Sequence, residues 1–246
     1  TITKTAVETG ADLVGYSGFS SANYLMQPYN ADIAVATSQT QSFAIWLKKT
    51  GTAQQCIFSA GDEATAGKER ALFINADGKA KFVDSGSSTE ASAVNTSLDN
   101  GSWHCVVICV DLGDKQRIYV DGKLDHLGAL TLADQTNGRV FVGKRQNDTL
   151  HASACSVALF RISNTCPSTE QVAKMYNDEK HLFQAGAQAT LYGSSDAVTA
   201  LAYDDTTDLL HVGTSAGRSV FQGLRRVDNT TDAITAAISA SNNLVA

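Results

Sequence analysis

A long run of alternating apolar positions, Trp103–Lys123, dominates the hydrophobic pattern of the chain. In its first part, Trp103–Asp111, both the odd and the even positions are mostly apolar, which is typical of a strand in the middle of a sheet that is covered on both faces. A second strand, Gln116–Asp121, follows a short polar break. It leads into Asp121-Gly122, a dipeptide suited to the positive φ angles of a tight hairpin turn. The run therefore predicts two adjacent strands of a β-sandwich.

Shorter β-type runs flank this segment. Ser42–Lys49 alternates cleanly, with Phe43, Ile45 and Leu47 on one face and Trp46 on the other. A second Asp-Gly dipeptide, Asp77-Gly78, predicts another hairpin. We expect a polar loop over Ser85–Ser92 and a weak strand over Ala93–Ser97. The remaining predicted strands are Gln55–Ala60, Ala71–Ala76, Lys79–Asp84, Arg139–Gly143 and His151–Ile162.

The period of the apolar residues changes after Pro167. Val172, Met175 and Tyr176 have the spacing of one face of a short helix. Ser168 or Thr169 could cap this helix, and Glu170 would suit the dipole of its first turn. The pattern predicts one short helix after the last strand of the sandwich.

The C-terminal quarter has a different pattern of short β-type runs followed by a helical period. Ala197–Tyr203, Leu209–Gly213 and Ser219–Gln222 predict three short strands of a β-meander. Asp228–Ala246 predicts a capped helix with small and apolar residues on one stripe, which suits close helix packing. We therefore expect this tail to mediate oligomerisation or anchoring, with a trimer favoured, through Ile234, Ala237 and Ile238.

The order of these elements resembles the concanavalin A-like jelly roll, and within that superfamily the laminin G and pentraxin branch. The resemblance covers about Gly18 to Phe183 and rests on the runs FAIWLK, IFSAGD, LFINADGKAKF, SWHCVVICVD, IYVDGK, RVFVGK and ALFRIS, followed by a terminal helix. The expected fold class is all-β, an antiparallel β-sandwich with a short helix, a small C-terminal β-meander and a helical tail. The expected segments are an N-terminal arm or edge strand (1–17), the jelly roll (18–183), the meander (184–227) and the tail (228–246).

Charge and hydropathy exclude several classes of function. The formal charge of −6 provides no basic surface for nucleic acid or an anionic membrane. No apolar run approaches the ~20 residues that cross a bilayer, and the first residues lack the features of a signal peptide. We therefore expect neither nucleic-acid binding nor membrane insertion.

The five cysteines are better suited to a core than to metal binding or disulfides. Cys105 and Cys109 lie on one strand, roughly 13 Å apart at ~3.3 Å per residue, which exceeds the ~7 Å limit for linked Cα atoms. Cys56 and Cys155 lie in apolar β-type runs, and the spacings do not match a zinc site. We expect buried, reduced thiols, consistent with assembly in a reducing compartment.

The acidic residues do not form a catalytic pattern. Glycosidases of this superfamily carry paired carboxylates on one strand, commonly Glu-x-Asp-x-x-Glu, and that spacing is absent from this sequence. The glycine-bearing run Gly213–Ser219 (GTSAGRS) lies between predicted short strands, so it lacks the strand-to-helix context of a nucleophile elbow and the lysine of a phosphate loop. We expect a protein that is not an enzyme.

Two binding sites are conceivable. Laminin G and pentraxin relatives often hold Ca²⁺ with oxygen ligands from loops, and the candidates here are Asp62, Glu63, Asn147 and Asp148; the expected cofactor is nevertheless none. Sugars are held by aromatic faces together with amide and carboxylate hydrogen bonds. The best cluster of that kind comprises Tyr16, Phe19, Asn23, Tyr24, Gln27 and Tyr29.

The C-terminal run from Tyr203 to Ile234 is similar to segments that trail laminin G-like domains in phage virion proteins. This resemblance implies a virion structural protein, assembled in the host cytoplasm, with other virion proteins as partners. The implied role is a tail fibre or appendage component that binds host surface glycan, or a capsid decoration or head-fibre protein. The alternatives are a cellular Ca²⁺-dependent lectin-like adhesion module and a glycoside hydrolase.

Overall fold

The computed structural model of the chain describes residues 1–31, 33, 40–61, 69–84, 89–92, 95–111, 116–129, 138–146, 150–186, 191–195, 197–223, 225–231, 240–241 and 244–245. It divides into two compact units. The first comprises residues 1–5 and 14–179, and the second residues 6–13 and 180–246.

Thirteen strands among the described residues build a sandwich of two antiparallel sheets. In chain order they are β1 (Thr3–Ala6), β2 (Val14–Ser17), β3 (Leu25–Gln27), β4 (Gln41–Lys49), β5 (Gln55–Gly61), β6 (Glu69–Ile74), β7 (Ala80–Asp84), β8 (Thr89–Ser92), β9 (Trp103–Val110), β10 (Gln116–Val120), β11 (Lys123–Gly128), β12 (Arg139–Val142) and β13 (Cys155–Ser163). One sheet has the order β1-β2-β13-β4-β9-β10-β11, and the other has the order β3-β12-β5-β6-β7-β8.

The hydrophobic core lies between these sheets. Alternate residues of β4 and β9 point inward from the first sheet and meet residues of β5, β6 and β7 from the second. The rings of Phe43 and Phe58 stack across the core with centroids 4.8 Å apart. Every residue from His104 to Val110 is buried, so the two-faced strand predicted from the sequence is confirmed. The hairpin turn is confirmed as well, with φ of 49° at Asp121 and 78° at Gly122.

The predicted helix is α1 (Thr169–Glu179). Ser168 caps it, because its Oγ accepts a hydrogen bond from the Gln171 N–H at 3.2 Å and the Gln171 Oε1 accepts one from the Ser168 N–H at 2.7 Å. The helix packs on the outer face of the seven-stranded sheet. There the rings of Trp46 and Tyr176 stack at 5.7 Å, and the Trp46 indole N–H donates to Glu179 at 2.7 Å.

Two expectations for the first unit are corrected. The loop predicted over Ser85–Ser92 contains a strand, β8, because the backbone at Thr89–Ser92 pairs with β7. That pairing needs no hydrophobic pattern, which is why the polar sequence does not reveal it. In the weak strand predicted over Ala93–Ser97, residues 95–97 are not in a strand and residues 93–94 lie outside the described residues. Of the arm or edge strand expected for residues 1–17, the structure shows strands, since β1 and β2 extend the seven-stranded sheet beyond β13.

The second unit contains an antiparallel meander of four strands, β14 (Val198–Asp204), β15 (Leu209–Thr214), β16 (Gly217–Gln222) and β17 (Arg225–Thr230). The first three strands match those predicted. The fourth contradicts the predicted start of a helix at Asp228, because the backbone of Asp228–Thr230 pairs with β16 instead. Further along, β18 (Ala240–Ser241) and β19 (Leu244–Val245) pair as a two-stranded sheet. Ile234, Ala237 and Ile238 lie outside the described residues.

Candidate functional site

The residues of the predicted aromatic cluster differ in exposure: Phe19 is buried, Gln27 and Tyr29 are exposed, and the other three are half-buried. Phe19 is 2% exposed and belongs to the core. Its ring lies directly against the backbone of Gly143, where a Cβ atom would overlap it. Tyr16 lies on β2 opposite Val157 and packs against the same core. Both rings pack in or against the core, and Phe19, at 2% exposed, has almost no surface for a ligand.

Asn23 is also used locally. It closes a turn with Ser20, in which the Ser20 Oγ accepts hydrogen bonds at 3.0 Å from both the Asn23 backbone N–H and its side-chain amide. The reciprocal backbone bonds join Ser20 N–H to Asn23 O at 2.8 Å and Asn23 N–H to Ser20 O at 3.2 Å. This turn sets the position at which the chain enters β3.

Tyr24, Gln27 and Tyr29 lie in or next to the edge strand β3. Tyr29 is 47% exposed, and Gln27 is exposed with only a 3.4 Å hydrogen bond to the neighbouring Pro28 carbonyl. The half-buried ring of Tyr24 meets Phe141 edge-on with centroids 5.5 Å apart. The Lys144 ammonium lies 4.6 Å from the centroid of the Tyr24 ring, a cation–π contact. We call Tyr24, Gln27, Tyr29 and Lys144 the β3 edge.

An apolar cleft of about 310 Å³ adjoins the β3 edge. It opens between β3 and β12 on one side and β13 on the other, and among the described lining residues Gln27 is the polar one. The lining residues are Leu25, Met26, Gln27, Ile33, Val140, Val142, Phe160 and Ile162. An apolar surface beside a few hydrogen-bonding groups is the usual composition of a small-ligand site. Such a surface can hold the C–H face of a sugar while amide, phenol and ammonium groups meet its hydroxyls.

Lys144 is not among the residues of this edge that were predicted from the sequence. A signal for it was present, because Lys144 follows directly after the predicted strand RVFVG, close to where that strand must end. The partner strand of β12, however, could not be read from the sequence. The pairing of β3 with β12, in which Phe141 lies opposite Met26, is what brings Lys144 to Tyr24.

A second and larger cleft, which the sequence did not predict, separates α1 from the outer face of the seven-stranded sheet. It has a volume of about 670 Å³, and its floor is made by the small side chains of Ser42, Ala44 and Ser163 together with Val107. Its charged wall residues are paired with one another. Arg161 donates to both oxygens of Glu179, at 2.5 and 2.9 Å, and Lys174 lies 2.7 Å from Asp178. The helix–sheet cleft therefore offers little uncompensated charge to a ligand.

A pair of thiols lies at one end of the helix–sheet cleft. The Sγ of Cys166 lies 3.5 Å from the carbonyl oxygens of Gln41 and Val110. The hydrogen bond that it accepts from the thiol of Cys109 lowers the pKa of Cys166 and raises that of Cys109. Burial raises the pKa of Cys105 and of Cys155 to about 12. Four of the five cysteines are buried, as the sequence predicts, and Cys166 is half-buried.

The imidazole of His104 has a polar partner at each ring nitrogen. Its Nδ1 lies 2.7 Å from Asp121 Oδ2, and its Nε2 lies 3.0 Å from Asn100 Oδ1. The other oxygen of Asp121 accepts the Cys105 backbone N–H at 2.9 Å. The imidazole thus links β9 to the hairpin turn at Asp121, and it is 8% exposed.

Three glutamates, Glu69, Glu170 and Glu179, have structural partners. Glu179 accepts from Trp46 and Arg161 as described above. Glu69 is buried and accepts from Arg145 Nε at 2.6 Å, and Glu170 accepts from Ser168 Oγ at 2.8 Å in the first turn of α1. These contacts occupy the three carboxylates in holding the fold together.

The calcium candidates Asp62, Glu63, Asn147 and Asp148 lie outside the described residues. Among the residues that are described, no three His, Cys, Asp or Glu side chains lie close enough together to hold a metal ion. Among the helices in the described ranges, none combines the length and apolar character needed to cross a bilayer.

Two facing antiparallel sheets around a common core, with one helix on an outer face, define a lectin-like jelly-roll sandwich. The chain belongs to the concanavalin A-like lectin/glucanases superfamily, since the model of its Laminin_G_3 family matches residues 20–173. No curated protein sequence matches the chain significantly.

Solved structures of low sequence identity share the fold. The binding domain of botulinum neurotoxin serotype G aligns with a TM-score of 0.54 and 11% identity over 88% of this chain, which spans only 58% of that structure. Domain 4 of AbnA, an extracellular arabinanase from Geobacillus stearothermophilus, aligns with a TM-score of 0.55 and 17% identity over 72% of this chain and 81% of its own. The heptameric SAP-like pentraxin of Limulus polyphemus aligns with a TM-score of 0.50 and 14% identity, over 66% of this chain and 80% of its own.

Proposed function

We propose that the sandwich is a non-catalytic carbohydrate-binding module that holds its ligand at the β3 edge. The observation that carries this proposal is an edge strand that places Gln27 in an apolar cleft, with the exposed ring of Tyr29 next along the chain and the Tyr24–Lys144 cation–π pair at its start. Membership of a lectin-like superfamily supports it. So does the likeness of the fold to the AbnA domain, which was solved in complex with arabinotriose.

The proposed mode of binding follows from the geometry of the edge. The exposed ring of Tyr29 provides a face for sugar C–H groups, and Gln27 offers both a donor and an acceptor to vicinal hydroxyls. Lys144 lies over the ring of Tyr24 and provides a positive charge beside that ring. Neutral or acidic oligosaccharides fit this set of groups, and the proposed binding requires no metal.

A glycan array tests the proposal. The wild-type chain should retain a defined subset of oligosaccharides in buffer with EDTA, and the double variant Gln27→Ala/Tyr29→Ala should lose it. If the double variant still bound these oligosaccharides and Lys174→Ala did not, the ligand would lie in the helix–sheet cleft and the proposed site at the β3 edge would be contradicted. New reducing ends released from a bound polysaccharide would contradict the non-catalytic part of the proposal.

We also propose a setting for the module, the surface of a phage particle, as a tail fibre or appendage component or as a capsid or head-fibre decoration. The similarity of the run from Tyr203 to Ile234 to segments of phage virion proteins supports this setting. Immunogold labelling of particles from a culture that expresses the chain tests it. Label at the tail tip or on the capsid is expected, and unlabelled particles beside free antigen would contradict it.

A further inference from the structure

The first strand of the meander, β14, is an open edge with exposed apolar side chains. All seven of its residues are exposed, including Leu201 at 66% and Tyr203 at 62%. The sheet order places β14 at one end, next to β15 alone among the described strands. An edge strand of this kind presents a row of backbone N–H and C=O groups that can pair with another strand.

The opposite edge of the same sheet is built differently. The strand there, β17, carries Arg225, Arg226 and Asp228, whereas β14 has no charge before Asp204. Charged side chains are a common protection of edge strands against pairing. On β14 the pairing with β15 is irregular between Val198 and Ala200, which disfavours pairing there. The stretch from Ala200 to Asp204 is regular and stays open to a second strand.

We infer that β14 pairs with β14 of a second copy of this chain, antiparallel about a two-fold axis at Ala202. In that register Leu201 lies opposite Tyr203 of the second copy, and Tyr203 lies opposite its Leu201. The two largest exposed apolar side chains of the strand, which share one face of the sheet, therefore cover each other twice. Ala202 faces Ala202 on the other side of the sheet, where a small residue fits the axis.

The distribution of charge selects this partner and this direction. Asp204, Asp205 and Asp208 all lie at one end of β14, where Asp204 accepts hydrogen bonds from Thr206 and Thr207 and Asp208 accepts one from Tyr203 at 2.8 Å. Antiparallel pairing separates the two Asp204 residues by roughly 14 Å at ~3.4 Å per residue, more than the ~8 Å Debye length at physiological salt. Parallel pairing would place the acids of both copies side by side.

The resulting assembly joins two four-stranded meanders into one continuous sheet. It is isologous, so the same patch is used on both copies, and it closes after two subunits. The inference does not depend on the proposed carbohydrate binding, because β14 and the β3 edge belong to different units of the chain.

Cysteine cross-linking tests the register. Directly opposed residues in antiparallel strands have Cα atoms about 4.5–5.5 Å apart, within the ~4.4–6.8 Å range of disulfides. Ala202→Cys should therefore form a covalent dimer of twice the 26.0 kDa chain mass under mild oxidation. The matched variant Ala200→Cys lies opposite Asp204 of the second copy, and it should remain at the background of the wild type. Equal cross-linking of both variants, or of neither, would overturn the register.

Sedimentation of the uncross-linked protein tests the interface itself. The wild type should be a dimer. Leu201→Lys should raise the dimer dissociation constant about tenfold or more, because the two-fold axis places the substituted residue in the interface twice. Val227→Lys, at an exposed position of β17, should leave the dimer unchanged. A monomer at the highest attainable concentration, a trimer, or a dimer indifferent to Leu201→Lys would each overturn the inference.

Discussion

Phe19 and Tyr29 are both aromatic, but one is 2% exposed and the other 47%. Phe19→Ala removes a ring from the core and should lower the free energy of unfolding by about 3–5 kcal/mol. Tyr29→Ala should change it by less than about 0.5 kcal/mol, as exposed substitutions usually do. Urea unfolding of the two variants against the wild type measures the difference. Similar losses in both would mean that the assignment of one ring to the core and the other to the surface is wrong.

The thiol of Cys166 should be the most reactive of the five. It is the one cysteine that is not buried, and the hydrogen bond from Cys109 lowers its pKa, so a larger fraction is thiolate near neutral pH. Brief treatment of the native protein with iodoacetamide should modify Cys166 first, and the rate should rise with pH as the thiol ionises. Peptide mass spectrometry locates the label, with Cys166→Ser as the control. Early modification of Cys105 or Cys155, whose pKa values burial raises to about 12, would contradict this order.

The docking of α1 depends on the hairpin turn between β10 and β11. Gly122 has φ of 78°, and a Cβ atom there would lie 3.0 Å from Tyr176 Cβ and 3.2 Å from Ala173 Cα. Gly122→Ala should therefore cost more than the roughly 1–2 kcal/mol of a left-handed alanine, since the helix must also move. Gly101→Ala is a matched control, with φ of 76° and no atom within 4 Å. Both variants should lose the stability that a left-handed alanine costs, but Gly122→Ala should have the lower melting temperature and should alone show faster amide exchange of α1. Equal effects in the two variants would remove the helix from the explanation.

Local pattern accounts for the elements that the sequence predicts well. The two-faced alternation of β9, the Asp-Gly turn at Asp121-Gly122 and the capped helix after Ser168 each depend on neighbouring residues. β8 and β17 are polar strands that exist through backbone pairing with β7 and β16, and no periodicity marks them. The candidate site is likewise only partly predictable from the sequence. Aromatic and amide residues of the β3 edge could be named from the sequence, but the burial of Phe19 and the approach of Lys144 depend on which strands pair.

At the scale of the whole molecule, the two units have different surfaces. The sandwich buries its apolar residues between two sheets and exposes a small aromatic edge, whereas the meander leaves an apolar strand open. The first arrangement suits recognition of a small ligand, and the second suits self-association. The trimer expected from the C-terminal tail stays a prediction, because Ile234, Ala237 and Ile238 lie outside the described residues. It is an alternative to the inferred β14 dimer, and sedimentation decides between the two.

Calorimetric titration of an oligosaccharide found on the array tests the central claim, that the β3 edge binds carbohydrate. Tyr29→Ala should raise the dissociation constant about tenfold, equivalent to ~1.4 kcal/mol of lost binding energy. Tyr203→Ala, which removes an exposed tyrosine from the other unit, should leave the constant unchanged. An unchanged constant in Tyr29→Ala, or an equal loss in both variants, would contradict the account.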